Sequence, residues 1–173
     1  MCKQCELKPV YEFTNKRKLC KNCFVRYFQK KVLYTIRKFK MIQKGDTIYC
    51  ENSLVKRVLG FFEERGIISF TADKKKANKI AVSDNLDKES NKIIHEVIKG
   101  NLKNLKSEPT SKKTIKPLYL FLDDEIKLYA KLNGINCEGK KVKQDRITKF
   151  VNNLEIKHPE IKRAIVNSYL ELY

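Results

Sequence analysis

The sequence predicts an α/β protein made of a small cysteine ribbon, a long basic helix behind it, a reduced parallel sheet of about four strands with helices, and a helical C-terminal part. Three observations predict it. Two Cys-x-x-Cys pairs open the chain, Cys2–Cys5 and Cys20–Cys23, with fourteen residues between them. Apolar residues then recur at helical spacing from Phe24 to Phe39. Beyond residue 45, short apolar runs alternate with amphipathic stretches, the order of strand–helix–strand units.

Residues 1–23 are the ribbon. A Cys-x-x-Cys turn aims two thiolates at one centre, and two such turns supply the four soft ligands of a tetrahedral structural zinc. Cys2, Cys5, Cys20 and Cys23 are therefore the candidate metal ligands. The stretch between the pairs is too short and too polar to fold alone, so the metal supplies the folding energy. Iron suits the same thiolate cage and is the rival ion. Two disulfides are the weaker alternative: Cys50 and Cys137 stand alone, and no secretory signal opens the chain. Val10 to Phe13 alternates like one strand of a hairpin, and Thr14 to Arg17 reads as its turn.

Residues 24–44 carry the basic helix, with helical spacing over 24–41. Phe24, Phe28, Val32, Ile36 and Phe39 form its apolar stripe, while Arg26, Lys30, Lys31, Arg37, Lys38 and Lys40 fall mostly on the other faces. They continue a basic run on the ribbon: Lys16, Arg17, Lys18 and Lys21. The formal net charge is +18. Self-repulsion of that size is relieved by a polyanion, and neutralising phosphates drives nucleic-acid binding by counterion release. These ten residues are the candidate nucleic-acid contacts. Lysine far outnumbers arginine, which suits backbone contact better than base reading. A lysine-rich genome or a thermophilic origin is the competing explanation of the charge.

Residues 45–173 are the reduced α/β domain. Gly45-Asp46 turns the chain into a strand at Thr47–Cys50, followed by a helix over 53–65 that stops at Gly66. Ile67–Phe70 and Ile80–Val82 read as strands around a lysine-rich turn at 72–78. Asp84 is the expected cap of a helix over 86–99 that ends at Gly100. The polar stretch 103–114 reads as a mobile linker. A strand over 115–121 and a helical tail over 123–173 complete the chain, with helices near 123–133, 143–157 and 159–172 and Pro159 as the first residue of the last. Hydrophobic content of 42 % is enough for a core. The longest apolar run, Leu118–Leu122, is strand-sized, so no membrane partner and a cytoplasmic location are expected.

The order of these segments resembles the tRNA 2-thiolation enzymes, the TtuA-type and cytosolic-thiouridylase branch of the N-type ATP pyrophosphatases. A four-cysteine ribbon, Lys30 to Ile42, Gly45-Asp46 and a strand match the family's start. Lys79 to Ser90 is similar to its ATGHNLDDEAQ segment, and Ile98-Lys99-Gly100-Asn101 to its LRGD. Ile115 to Leu118, the acidic helix start at Asp123, Leu128-Tyr129-Ala130, Cys137 and Leu154 to Lys162 follow the family order. The resemblance implies tRNA as partner, and it is interrupted where the family handles ATP. The phosphate loop SGGKDS is replaced by Cys50-Glu51-Asn52-Ser53-Leu54-Val55-Lys56, which has no glycine to let backbone amides approach phosphates. Glu51 would repel a phosphate. The family's cysteine pair that helps hold a catalytic iron–sulfur cluster is missing, as is the closing ribbon, and the LDDE acids are reduced to Asp87 followed by Lys88. No ATP is expected to bind.

Cys50 and Cys137 are weak candidates for a sulfur relay or a metal half-site, against packing or an incidental thiol. Asp84, Asp87 and Glu89 are explained by a helix N-terminus, and His95 and His158 lack companions at metal or triad spacing. Tyr11, Phe13, Phe24, Tyr27 and Phe28 could stack on bases, though core packing explains most of them. The first expectation is a non-catalytic, tRNA-binding relative of thiolation enzymes that presents tRNA to an active thiolation enzyme or pairs with one as a regulatory subunit, or that associates with itself. The others are a tRNA sulfurtransferase using Cys50 and Cys137, and a zinc-ribbon DNA-binding protein.

Overall fold

A computed structural model describes residues 1–101, 105, 107–136 and 145–172. The ribbon is a two-stranded antiparallel hairpin, β1 (Tyr11–Glu12) and β2 (Lys18–Leu19), with Tyr11 opposite Leu19. It runs straight into α1 (Lys21–Lys38), for which Cys20 is the N-cap residue. The helix therefore starts inside the second cysteine pair, three residues earlier than its apolar stripe predicts. It ends at Lys38, and Lys40 takes a left-handed φ of 48°.

The main sheet holds β3 (Asp46–Cys50), β4 (Ile68–Phe70), β5 (Lys79–Ala81) and β6 (Thr114–Ile115), all parallel, in the order β4-β3-β5-β6. α2 (Ser53–Glu64) follows β3, and α3 (Leu86–Ile98) follows β5. α4 (Asp123–Leu132), α5 (Arg146–Lys157) and α6 (Ile161–Glu171) form the tail. The four-stranded parallel sheet and the helical tail agree with the sequence expectation.

Two apolar clusters hold these elements. The larger joins the ribbon, α1, the sheet, α2 and α4 around Phe24, Phe28, Ile48, Leu59, Ile115 and Phe121. Phe28 is its hinge, stacked on Tyr129 with centroids 3.9 Å apart and packed 4.3 Å from Phe121. Burying one such ring contributes on the order of 1.5–3 kcal/mol. The smaller cluster packs α6 against α3 through Leu86, Ile93, Tyr119, Val166 and Tyr169.

Buried charge ties α3 to the segments around β6 and to the tail. Lys116 Nζ lies 2.7 Å from Glu89, which also accepts from the Ser107 hydroxyl. Lys162 Nζ donates to Asp87, whose other oxygen accepts from the Asp123 amide at 2.7 Å. Each partner makes the other's burial tolerable. Asp87 and Glu89 thus do more than compensate a helix dipole.

Four expectations are corrected. The strand predicted over 115–121 is only Thr114–Ile115. Pro117 has no N–H for a ladder, and the chain turns instead, with Tyr119 N–H donating to Lys116 O and Phe121 N–H to Leu118 O. Asn85, not Asp84, caps α3, its side chain accepting from Lys88 N–H, while Asp84 pairs with Lys88 at 3.6 Å. The last helix begins at Ile161, after Glu160 takes a left-handed φ of 80°, not at Pro159. Within the expected linker 103–114, Leu105, Ser107 and Pro109 are buried, and Tyr169 Oη donates to Leu105 O at 2.9 Å. Those residues are pinned, because Tyr119 and Tyr169 need backbone partners for their buried hydroxyls.

Candidate metal centre and basic face

The four ribbon cysteines converge. Their Sγ atoms all lie within 4.8 Å of one another, with Cys5 and Cys20 3.3 Å apart and Cys5 and Cys23 3.6 Å apart. Sulfurs bound at about 2.3 Å around one tetrahedral ion are about 3.8 Å apart, so the donor set fits a single ion. A four-iron cluster places a cube of iron and sulfide between its thiolates and needs them farther apart.

Local geometry explains the convergence. The first pair sits on a knuckle closed by Cys2 N–H to Leu7 O and Glu6 N–H to Cys2 O, with Glu6 in a left-handed φ of 61°. The second pair is the N-terminus of α1, where free amides and the helix dipole favour a thiolate. Lys3 N–H to Lys18 O and Val10 N–H to Leu19 O sew the knuckle to the hairpin. Burial of Cys2 opposes ionisation, yet the amides of Gln4, Cys20 and Cys5 outweigh it and pull its thiol to about 6. The Cys23 amide lowers Cys20. Burial, then the other three thiols, pushes Cys23 up to about 12. Four thiols so close cannot all ionise without a cation among them. The residues can hold a metal.

The basic face is where helical spacing puts most of it. Lys16, Lys18, Lys21, Arg26, Lys30, Arg37, Lys38 and Lys40 are exposed. Two of the ten candidates turn inward. Lys31 Nζ sits 2.7 Å and 3.0 Å from the two oxygens of buried Glu125, which also accepts from Tyr27 Oη at 3.1 Å. Burial lowers the Lys31 ammonium below an ordinary lysine against the pull of that carboxylate. The Arg17 guanidinium lies 4.4 Å from the Phe13 centroid and 5.1 Å from that of Tyr27, half-buried in the ribbon. The aromatics considered for stacking, Tyr11, Phe13, Phe24, Tyr27 and Phe28, pack on each other at the ribbon–helix junction.

The sheet has its own candidate crevice. The connection after β3 runs to β4 on one side and the connection after β5 runs to β6 on the other, so the direction switches between β3 and β5. Open α/β sheets take ligands beyond the carboxyl ends of strands at such a switch point. Here that place holds Glu51 and Ser83. Glu51 Oε2 accepts from the Ser83 amide at 2.8 Å and its hydroxyl at 2.9 Å, and Asn52 caps α2 by accepting from Val55 N–H at 2.9 Å. An amide and a cap that could face a phosphate are spent on side chains of the chain itself.

Cys50 ends β3, half-buried, with burial pushing its thiol up to about 11. Cys137 lies outside the described residues, and so does any pairing of the two. His95 Nε2 contacts Asp145 at 3.0 Å, and His158 is the C-cap residue of α5. The Glu51–Ser83 contact was partly visible in the sequence as an acid in a glycine-free loop; its partner was not. Among the described residues, no helix is long and apolar enough to cross a membrane.

No protein-family model matches the chain. A probable sulfurtransferase of Methanocaldococcus jannaschii is 28% identical over 120 residues, 62% of this chain and 35% of that protein. The matched part spans about a third of that relative's length. The structure of the U34-tRNA thiolase NcsA from Methanococcus maripaludis, with its [4Fe-4S] cluster, covers 99% of this chain and is covered over 86% of its own. The TM-score is 0.73 at 19% identity. The chain therefore has the fold of a tRNA thiolase and is similar in sequence to a probable sulfurtransferase.

Proposed function

We propose that this chain is a metal-bearing, tRNA-binding relative of the tRNA 2-thiolation enzymes that serves thio-modification without activating uridine by ATP. One observation carries the non-catalytic part: the Glu51 carboxylate is bonded to Ser83 at the sheet's switch point. A fixed negative charge there opposes a nucleotide phosphate, and the glycines that would open the loop are absent from residues 50–56. The thiolase fold, the exposed lysines of α1 and the net charge support tRNA as the partner. The ion is zinc in this proposal, since four converging thiolates with no open position make a closed structural site. An active thiolation enzyme supplies the catalysis.

The similarity to a probable sulfurtransferase favours a second reading, in which Cys50 and Cys137 carry sulfur. The raised Cys50 thiol weighs against it, because the thiolate is the nucleophile.

Sequencing the nucleic acid crosslinked to the full chain in its own cells tests the proposal. Enrichment of tRNA is expected, with a footprint that names the position served. Recovery of genomic DNA, or of no nucleic acid, would overturn it.

A further inference from the structure

A trough runs along the outer side of α1, between it and α2. Its deeper end is a hollow of about 330 Å³ floored by Phe28, Val58 and Tyr129, and its shallower end lies over Tyr34, Arg37 and Lys38. Lys30 and Leu33 line both, so the two hollows adjoin along the flank of α1. From Arg26 to Lys38 the helix rises roughly 18 Å, enough for several nucleotides of a single strand. Small-ligand sites begin at roughly 300 Å³, so the deeper end has room for one unstacked base.

Its chemistry is that of a single-strand platform. Five of its basic residues, Arg26, Lys30, Arg37, Lys38 and Arg57, face one acid among the described lining residues, Glu64. Two aromatic rings are left outside the core here: Tyr34 is 57% exposed and Phe61 37%. The Arg65 guanidinium sits 4.0 Å from the Phe61 centroid, and Lys38 Nζ 5.9 Å from that of Tyr34. Exposed rings in a positively charged groove are how sequence-tolerant single-strand sites hold bases, with the neighbouring cations free to turn from the rings to phosphates or base faces. A duplex has no unstacked base to offer such rings, and a protein partner gives four cations along α1 and one on α2 less to neutralise than a phosphate chain does.

We propose that this trough binds an unpaired RNA segment, with Tyr34 and Phe61 stacking on its bases and the basic residues tracking its phosphates; this deepens the tRNA reading and rests on it. The test compares the metal-loaded full chain with a Tyr34→Ala/Phe61→Ala double variant and with Tyr34→Phe. Each is titrated with an RNA hairpin carrying an unpaired loop and with its stem as a blunt duplex. Both rings are exposed, so the fold, checked by circular dichroism and metal content, is expected to persist. The double variant should lose roughly 10- to 100-fold in hairpin affinity, with duplex affinity and salt slope unchanged, and Tyr34→Phe should bind as the parent does. Equal losses on hairpin and duplex, or no loss on either, would overturn the trough while leaving tRNA binding standing. A parent chain that binds neither hairpin nor whole tRNA would overturn both. A double variant that keeps its RNA affinity but no longer self-associates would assign the trough to a second copy of the chain instead.

Discussion

Lys30 and Lys31 are neighbours in sequence and opposites in role. Lys30 is exposed on the trough, whereas Lys31 is bound to both oxygens of Glu125, 94 residues away. Removing one partner of a buried pair strands the other, which costs about 3–5 kcal/mol. Lys31→Ala is therefore expected to lower urea stability by that order. Lys30→Ala should leave stability within about 0.5 kcal/mol and lower the salt slope of RNA binding by about one. Identical effects of the two in urea unfolding would refute the assignment. Position 31 was partly legible: it lies three residues after Phe28 and four before Thr35, on the edge of the buried stripe. What no local pattern shows is the acid it meets, because Glu125 reads as an ordinary first-turn residue of α4. The convergence of the four cysteines was legible, since two Cys-x-x-Cys turns aim their thiols at one centre. Cys5→Ser should abolish stoichiometric metal and unfold the ribbon, read by metal analysis and thermal melting; retained metal would show that the four thiols are not the site.

At the scale of elements, the sequence located the helices and strands of the described residues and erred at their ends. Periodicity reports an apolar stripe, whereas ends are set by caps and breakers such as Asn85, Pro117 and Glu160. Asp145 caps α5 by accepting from Thr148 N–H at 2.8 Å, and that amide, then its hydroxyl and His95, holds its carboxyl below the usual aspartate range. A carboxyl depressed in the folded state stabilises above its unfolded value and loses that contribution as pH falls through the folded one. Asp145→Asn keeps a capping oxygen but no charge. Its stability deficit against the parent should be present at neutral pH and shrink below about pH 4. A deficit that stays constant through that range in pH-dependent urea unfolding would refute the role of the charge.

For the whole molecule, the fold and the charge were legible and the Glu51–Ser83 contact at the switch point only half so. Strand–helix alternation implied a parallel sheet, but the order β4-β3-β5-β6, and hence the position of the switch point, depends on contacts that sequence spacing does not report. Glu51 could be seen to oppose a phosphate; that it is held by Ser83 could not. In the function proposed above, a tRNA-binding scaffold persists around a site closed to ATP. The most direct measurement is pyrophosphate release from labelled ATP and magnesium by the metal-loaded full chain, saturated with the tRNA it captures. Background-level release, with tRNA still bound, is the expected result. Release that rises with tRNA and falls on Glu51→Ala would contradict it and make the chain an enzyme in its own right.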